Sequence, residues 1–243
     1  MTLLRAMTLP RAMTPLSFET EEPAGPRFAL VVLQADETLE GDMRRLLPAE
    51  ARLHVTRVAA AQEVSAAGLL AMRDDLARAA SLLPAGRYDA VAYGCTSGAA
   101  VIGSAVVAAQ LREGCEAAAV VDPLSALLAA CRTHGVRRLG FVSPYVEAVN
   151  RRLVERLAEA GIAVPHLASF GVADDHAVVC IAPASVERAA REMAAREVDA
   201  VFLSCTNLRT LDAIERLDAR VPVWSSNLLL ARELERATNE SLT

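Results

Sequence analysis

Two stretches of this chain share one pattern: Tyr88–Thr96 reads YDAVAYGCT, and Val198–Thr206 reads VDAVFLSCT, 110 positions later. Each copy is an apolar run of the kind that forms a buried strand, and each ends at a cysteine followed by a threonine. At the same offset, the apolar run Ala29–Leu33 aligns with Leu139–Ser143. The repeat predicts that the chain is built from two related halves.

Each half also shows the same succession of strand and helix signals. Strands that alternate with helices indicate βαβ units with parallel sheets and right-handed crossovers. We therefore expect an α/β fold of two pseudo-symmetric lobes, each a parallel sheet flanked by helices, with the active site in the cleft between them. The predicted helices are Leu39–Leu47, Ala66–Leu83, Ala99–Leu111, Val146–Ala160, Ala184–Arg196 and Leu208–Leu217.

The predicted boundaries follow from the repeat. The first α/β half is expected to span residues 27–135, and the second residues 136–243. Residues 1–26 contain the near-duplication LRAMTLP and PRAMTPL, with methionines at 1, 7 and 13. We interpret them as a disordered tail or a wrongly assigned start.

Composition excludes several classes of partner. The net charge of −5 gives no basic stripe for a nucleic acid, and no apolar run approaches the roughly 18 residues that span a bilayer. Five cysteines without a Cys-x-x-Cys spacing predict free thiols in a reducing cytoplasm and no zinc site. No glycine-rich phosphate loop follows a strand, so we expect no cofactor and no metal. The predicted partner is a small-molecule carboxylate.

Cys95 and Cys205 carry the predicted chemistry. Both stand at the carboxyl end of a predicted strand, where parallel sheets bind ligands. Threonine, serine and asparagine ahead of a helix act as caps, and the free N–H groups there hold anions and stabilise a thiolate. We predict that both cysteines are catalytic. The neighbours predicted to bind the substrate are Thr96, Ser97, Thr206 and Asn207.

The remaining candidates have weaker settings. Cys115, Cys131 and Cys180 are interpreted as packing residues. The strand-to-helix junctions at Asp122-Pro123 and Trp224–Asn227 are interpreted as loops that shape the cleft.

The two cysteine motifs, Gly-Cys-Thr-Ser-Gly and Ser-Cys-Thr-Asn, resemble those of the aspartate/glutamate racemase superfamily. Within it, the resemblance is closest to the group of maleate cis–trans isomerases and arylmalonate decarboxylases, and it runs from about Phe28 to Leu234. The segment Val31–Glu40 looks most like the ectoine-utilisation branch of that group.

This resemblance implies roles for several residues. Cys95 matches the nucleophile and Cys205 the proton donor, while Tyr145, in the turn Ser143-Pro144-Tyr145, matches a tyrosine that contacts a substrate carboxylate. Maleate isomerases carry asparagines where this chain has Asp36 and Asp175. Because an ionised carboxylate accepts hydrogen bonds and repels an anion, these two residues favour a substrate with an amine or another donor beside its carboxylate.

The leading hypothesis is a cofactor-independent isomerase, of cis–trans or racemase type, that acts on a small carboxylate or amino-carboxylate, with a role in ectoine breakdown. The alternatives are a decarboxylase in which Cys205 protonates a carbanion, and a non-catalytic metabolite-binding protein. The oligomeric state stays open, with a homo-oligomer as one arrangement.

Overall fold

The computed structural model describes residues 16–61 and 65–240, and its strands form two separate parallel sheets of four strands each. In the first sheet the order is β2-β1-β3-β4, and in the second it is β6-β5-β7-β8. The predicted α/β fold with two parallel sheets is therefore confirmed. The strands are β1 Arg27–Leu33, β2 Arg52–Val58, β3 Tyr88–Gly94, β4 Ala117–Val121, β5 Arg138–Ser143, β6 Ala163–Ser169, β7 Ala200–Leu203 and β8 Val223–Ser225.

Helices connect successive strands on both sides of each sheet. They are α1 Leu39–Leu46, α2 Ala66–Ala71, α3 Leu76–Ser81, α4 Thr96–Ile102, α5 Ser104–Gly114, α6 Pro123–His134, α7 Glu147–Glu159, α8 Asp175–Val179, α9 Pro183–Ala194, α10 Leu211–Ile214 and α11 Ser226–Glu240. Among the described residues, no helix is long and apolar enough to cross a membrane.

The repeated aspartate of the YDAV and VDAV motifs explains part of the internal repeat. The Asp89 carboxylate accepts a hydrogen bond from the Arg27 backbone N–H at 2.7 Å, and the Asp199 carboxylate accepts one from the Arg138 N–H at 2.7 Å. Each aspartate thus holds the first residue of the neighbouring strand, β1 or β5, by a hydrogen bond.

The offset of 110 holds along the cysteine strands. It becomes 111 at β1 and β5, because Phe28 pairs with Ala90 whereas Leu139 pairs with Ala200.

The last helix links the two halves. Although α11 follows the last strand of the second sheet, it packs against β3, β4 and α1 of the first half. Its Leu230 and Leu234 are fully buried in one cluster with Phe28, Leu30 and Met43. The two halves therefore share a core.

Of the predicted N-terminal tail, residues 1–15 lie outside the described residues, and 16–26 precede the first strand.

Three predicted helices differ from the structure. The run Ala66–Leu83 is divided into α2 and α3 by a 3₁₀ turn at Met72–Asp75. The helix after Cys95 begins three residues earlier than predicted, at Thr96, and breaks at Gly103, whose φ of +94° leaves the helical region. The predicted helix Leu208–Leu217 is reduced to α10, because residues 205–210 form a loop held by tertiary contacts.

Candidate active site

The carboxyl ends of the central strands of both sheets surround one cavity. Cys95 follows β3, Cys205 lies just after β7, Asp36 follows β1, and Tyr145 follows β5. The cavity holds about 450 Å³ of empty space, including open solvent at its mouth. Its polar lining consists of Asp36, Cys95, Ser97, Tyr145, Asp175, Cys205, Thr206 and Asn207.

Cys95 is the N-cap residue of α4. Its Sγ accepts a hydrogen bond from the Gly98 backbone N–H at 3.1 Å and lies 3.5 Å from the Ser97 hydroxyl oxygen. The side chain is only 4% exposed, and this burial raises the pKa of the thiol to about 11, against the hydrogen bonds from Ser97 and Gly98 that lower it. In the unliganded protein Cys95 is therefore a neutral thiol at physiological pH.

Cys205 has an unusual backbone conformation. Its φ is +111°, a value that side chains bearing a Cβ rarely adopt. The Cys205 N–H donates to the Ser226 hydroxyl at 3.1 Å, and the residue is 5% exposed. Burial raises the pKa of its thiol well above the usual range and further than that of Cys95, although the Tyr145 hydroxyl lowers it.

The predicted ionisation state of these two thiols differs from that in the structure. The sequence predicted that both positions would favour a thiolate at a helix N-terminus. No helix begins at Cys205, and at both cysteines the loss of hydration outweighs the nearby donors.

Tyr145 lies between the two cysteines. Its side chain is 2% exposed, and its hydroxyl interacts with the Cys205 thiol and with the Ser97 hydroxyl. Burial, followed by the charges that the two cysteines carry when ionised, raises the pKa of Tyr145 well above its usual value. The phenol therefore stays protonated and can donate to a bound anion.

Two carboxyl groups face the same cavity. Asp36 is 4% exposed, and its Oδ1 accepts hydrogen bonds from the Thr38 and Leu39 backbone N–H groups at 2.9 and 2.8 Å. Asp175 is the first residue of α8 and is 7% exposed. Burial, reinforced by the charge of Asp36, raises the pKa of Asp175 to about 6. The described residues that line the cavity include no lysine, arginine or histidine.

Thr206 and Asn207 connect the Cys205 loop to the other loops of the site. The Thr206 hydroxyl donates to the Gly94 carbonyl at 3.2 Å. The Asn207 amide donates to the Asp175 carbonyl at 3.0 Å and accepts from the Glu37 N–H at 2.9 Å. The Asn207 side chain thus holds the two loops that carry the acidic residues, and its amide groups are already used within the protein.

Thr96 is the one predicted site residue that does not line the cavity. Its hydroxyl forms a 2.8 Å hydrogen bond with the Ser226 hydroxyl, and both residues are fully buried. The segment Trp224–Asn227 was predicted to be a loop that shapes the cleft, but no role was predicted for Ser226. Ser226 lies at the carboxyl end of β8, as Asp122 does at β4, and this repeated position was the available signal.

One wall of the cavity is apolar and was not predicted. It is formed by Leu33, Ala60, Ala61, Gly68, Leu69 and Met72.

Of the three cysteines interpreted as packing residues, Cys131 is buried and Cys115 is half-buried, but Cys180 is exposed. The interpretation of Cys180 was wrong because α8 ends there at the surface, and its sulfur lies 4.0 Å from the exposed His176 ring.

Comparison with known proteins finds relatives that match most of the chain. A maleate isomerase from Nocardia farcinica is 29% identical over 214 residues, which is 82% of this chain and 85% of that protein. A cysteine-to-serine mutant of the maleate cis–trans isomerase of that organism, solved with a covalently bound succinylcysteine intermediate, superposes with a TM-score of 0.78 at 27% identity. That superposition covers 88% of this chain and 93% of the mutant.

The fold is also that of the maleate isomerase Iso from Pseudomonas putida S16, with a TM-score of 0.79 at 23% identity over 88% of this chain and 93% of that one. The family model described as arylmalonate decarboxylase matches residues 29–238, which include both sheets and both cysteine loops. The chain therefore belongs to the arylmalonate decarboxylase family.

Proposed function

We propose that this protein is a cofactor-independent isomerase that acts on a small carboxylate through Cys95 and Cys205. The observation that carries the proposal is the placement of two buried thiols, from equivalent strands of the two halves, on one cavity. The covalent succinylcysteine of the related Nocardia enzyme supports a nucleophilic role for one of them.

The order in which the thiols ionise supports different roles for them. Burial raises the pKa of Cys205 further than that of Cys95, so Cys95 loses its proton first. Cys95 then serves as the nucleophile or base, and Cys205 keeps a proton to deliver. The Tyr145 hydroxyl lowers the pKa of Cys205 and so works against this order, but the effect of burial is larger.

Two reactions fit a pair of thiols on opposite sides of one substrate. In cis–trans isomerisation, the Cys95 thiolate adds to one carbon of a double bond, the π electron pair moves to the other carbon, and Cys205 protonates that carbon. Rotation about the new single bond, return of the proton to Cys205 and loss of the thiolate then give the isomer. In racemisation, one sulfur removes the α-proton and the other returns a proton to the opposite face. Neither reaction consumes a co-reactant.

The charge of the cavity favours an amino- or acylamino-carboxylate as the substrate. Burial raises the pKa of both Asp36 and Asp175. Once ionised, they would attract an ammonium or an N–H group and repel a dianion such as maleate. The substrate carboxylate would be held by the hydroxyl groups of Ser97 and Tyr145, because the Thr206 hydroxyl already donates to the Gly94 carbonyl. An intermediate of ectoine breakdown fits this description, and the odd number of free cysteines fits work in the cytoplasm.

A decarboxylase is the second candidate, because the matching family model is named for that activity. In that reaction the electron pair left by departing carbon dioxide would be protonated by Cys205. Cys95 would then have no role.

A sealed assay separates these functions. Maleate and small amino and N-acylamino acids are incubated in deuterium oxide with the parent protein, Cys95→Ser and Cys205→Ser, and are followed by NMR and chiral chromatography. The proposal expects an isomer with an unchanged carbon skeleton, and a loss of at least about 10³-fold in both variants. Loss of carbon dioxide that survives in Cys95→Ser would identify the decarboxylase. Thermal stabilisation by a ligand with no turnover would identify a binding protein.

A further inference from the structure

Tyr93 packs in the same core cluster as Cys95 but does not line the cavity. It occupies β3 two residues before Cys95, so the two side chains point to the same face of the sheet. Tyr93 is fully buried and is not among the residues that line the cavity. Its environment is therefore set by the protein alone.

The hydroxyl of Tyr93 is brought to the Cys95 sulfur by the absence of a side chain at Gly98. A Cβ at Gly98 would lie 2.2 Å from the Tyr93 hydroxyl oxygen and 3.1 Å from the Cys95 Sγ. The hydroxyl and the sulfur thus pack against the same Cα, and the two side chains interact electrostatically. Any larger residue at position 98 would push them apart.

The Tyr93 hydroxyl has no hydrogen-bond partner among the described residues. A buried hydroxyl without a partner destabilises a fold, and such groups are rare in folded proteins unless they serve a function. A neutral thiol is a weak acceptor, whereas a thiolate is a strong one. Ionisation of Cys95 therefore supplies the hydrogen-bond acceptor that the Tyr93 hydroxyl lacks.

We propose that Tyr93 is a positioning residue that donates a hydrogen bond to the Cys95 sulfur when that sulfur carries negative charge. Together with the Gly98 N–H and the Ser97 hydroxyl, it would give the thiolate three donors. Burial, and next the charge of the Cys95 thiolate, raise the pKa of Tyr93 well above its usual value, so the phenol keeps the proton that it donates. This proposal depends on the proposed function in one respect, because it assumes that Cys95 is the thiol that ionises during catalysis.

The test measures the Cys95 thiol without any substrate, so its outcome is independent of the reaction that the enzyme catalyses. The parent, Tyr93→Phe and Tyr88→Phe are treated with iodoacetamide between pH 7 and 9, and alkylation of each cysteine is timed by peptide mass spectrometry. Tyr88→Phe is a matched control, because Tyr88 is a fully buried residue of the same strand whose hydroxyl already donates to the Pro84 carbonyl at 2.6 Å. Cys131 reports any loosening of the core.

We expect alkylation of Cys95 to be about three- to tenfold slower in Tyr93→Phe at every pH, since the lost donor lowers the thiolate fraction while the more basic sulfur reacts slightly faster. The midpoint of urea unfolding should stay unchanged or rise, because an unpaired buried hydroxyl is removed. Tyr88→Phe should show the reverse, with an unchanged Cys95 rate and a lower midpoint. The proposal would be overturned by an unchanged or faster Cys95 rate in Tyr93→Phe, by an equal slowing in Tyr88→Phe, or by faster labelling of Cys131 in Tyr93→Phe.

Discussion

The Thr96 hydroxyl lies 2.8 Å from the Ser226 hydroxyl, and the same Ser226 oxygen accepts the backbone N–H of Cys205 at 3.1 Å. One buried side chain therefore connects the residue after the first catalytic candidate to the backbone of the second. Since the two cysteine loops come from different halves, this link fixes the position of one thiol relative to the other. It also helps to hold Cys205 at its φ of +111°.

Ser226→Ala should lower kcat by at least about tenfold with a smaller change in KM, because small displacements of reacting groups are costly. It should also lower the free energy of unfolding by about 1–2 kcal/mol, since the Cys205 N–H loses its partner. Ser225→Ala is the control, because Ser225 accepts only the Leu228 N–H among the described contacts. That variant should lose similar stability in urea unfolding and keep its kcat. Equal kcat values for Ser226→Ala and the parent would contradict the link.

The backbone conformation at Cys205 gives a stability prediction. Cys205→Gly should be more stable than Cys205→Ala by about 1 kcal/mol, because glycine adopts positive φ without strain. The matched pair is Cys95→Gly and Cys95→Ala, since Cys95 has a φ of −154°. At position 95 the alanine variant should be more stable than the glycine variant, as is usual where φ is negative. Urea unfolding of the four variants measures both differences, and an identical ranking at the two positions would contradict the strain at Cys205.

Exchange of the acidic residues should change the substrate preference. Asp36→Asn/Asp175→Asn replaces two carboxylates by amides that can donate to an anion, while the amide oxygen introduced at position 36 can still accept from the Thr38 and Leu39 N–H groups. We expect kcat/KM for maleate to rise and that for amino-carboxylates to fall, each by at least about tenfold. Efficient maleate turnover by the parent, measured side by side with amino acids, would contradict the proposed substrate class.

The titration of Asp175 should appear in the pH dependence of stability. Its folded-state pKa of about 6 lies above its ordinary value of 3.8, so between about pH 4 and 6 the folded protein binds more protons than the unfolded chain. The ionised group therefore destabilises the fold progressively as the pH rises through 6. Asp175→Asn should match the parent near pH 4 and exceed its free energy of unfolding by about 1–3 kcal/mol at pH 7.5.

The control for this titration is Asp174→Asn, at the half-buried N-cap of the same helix. Asparagine caps helices as well as aspartate does, but the charge of Asp174 adds to the rise of the Asp175 pKa, so that variant should keep the decline in stability with its midpoint at slightly lower pH. A parallel offset between Asp175→Asn and the parent at all pH values would show that burial does not perturb this carboxyl group.

The repeat around Cys95 and Cys205 was enough to predict the two parallel sheets and to bring both cysteines to strand ends. These features depend on local hydrophobic pattern and on the rule that parallel strands present their carboxyl ends at one edge. Asp36, Tyr145 and Asp175 were assigned to the site through the family resemblance alone.

Features that depend on contacts between distant residues could not be predicted. The link from Thr96 to Ser226 spans 130 positions, and no local pattern indicates it. The apolar run after Cys205 predicted a helix, yet the Asn207 and Thr206 contacts to the first half hold that segment as a loop. The loss of hydration that raises the pKa of both thiols depends on the whole surrounding structure.

In the proposed reaction, Cys95 and the side chain at position 205 act on opposite faces of one substrate. Its most direct test is a crystal structure of Cys205→Ser soaked with an amino- or acylamino-carboxylate that the parent enzyme turns over. We expect a ligand carbon bonded to the Cys95 Sγ or within about 3.5 Å of it. The position-205 hydroxyl should face the other side of the ligand, with Asp36 or Asp175 beside the ligand nitrogen. A ligand that binds outside this cavity, or that contacts both side chains from the same face, would contradict it.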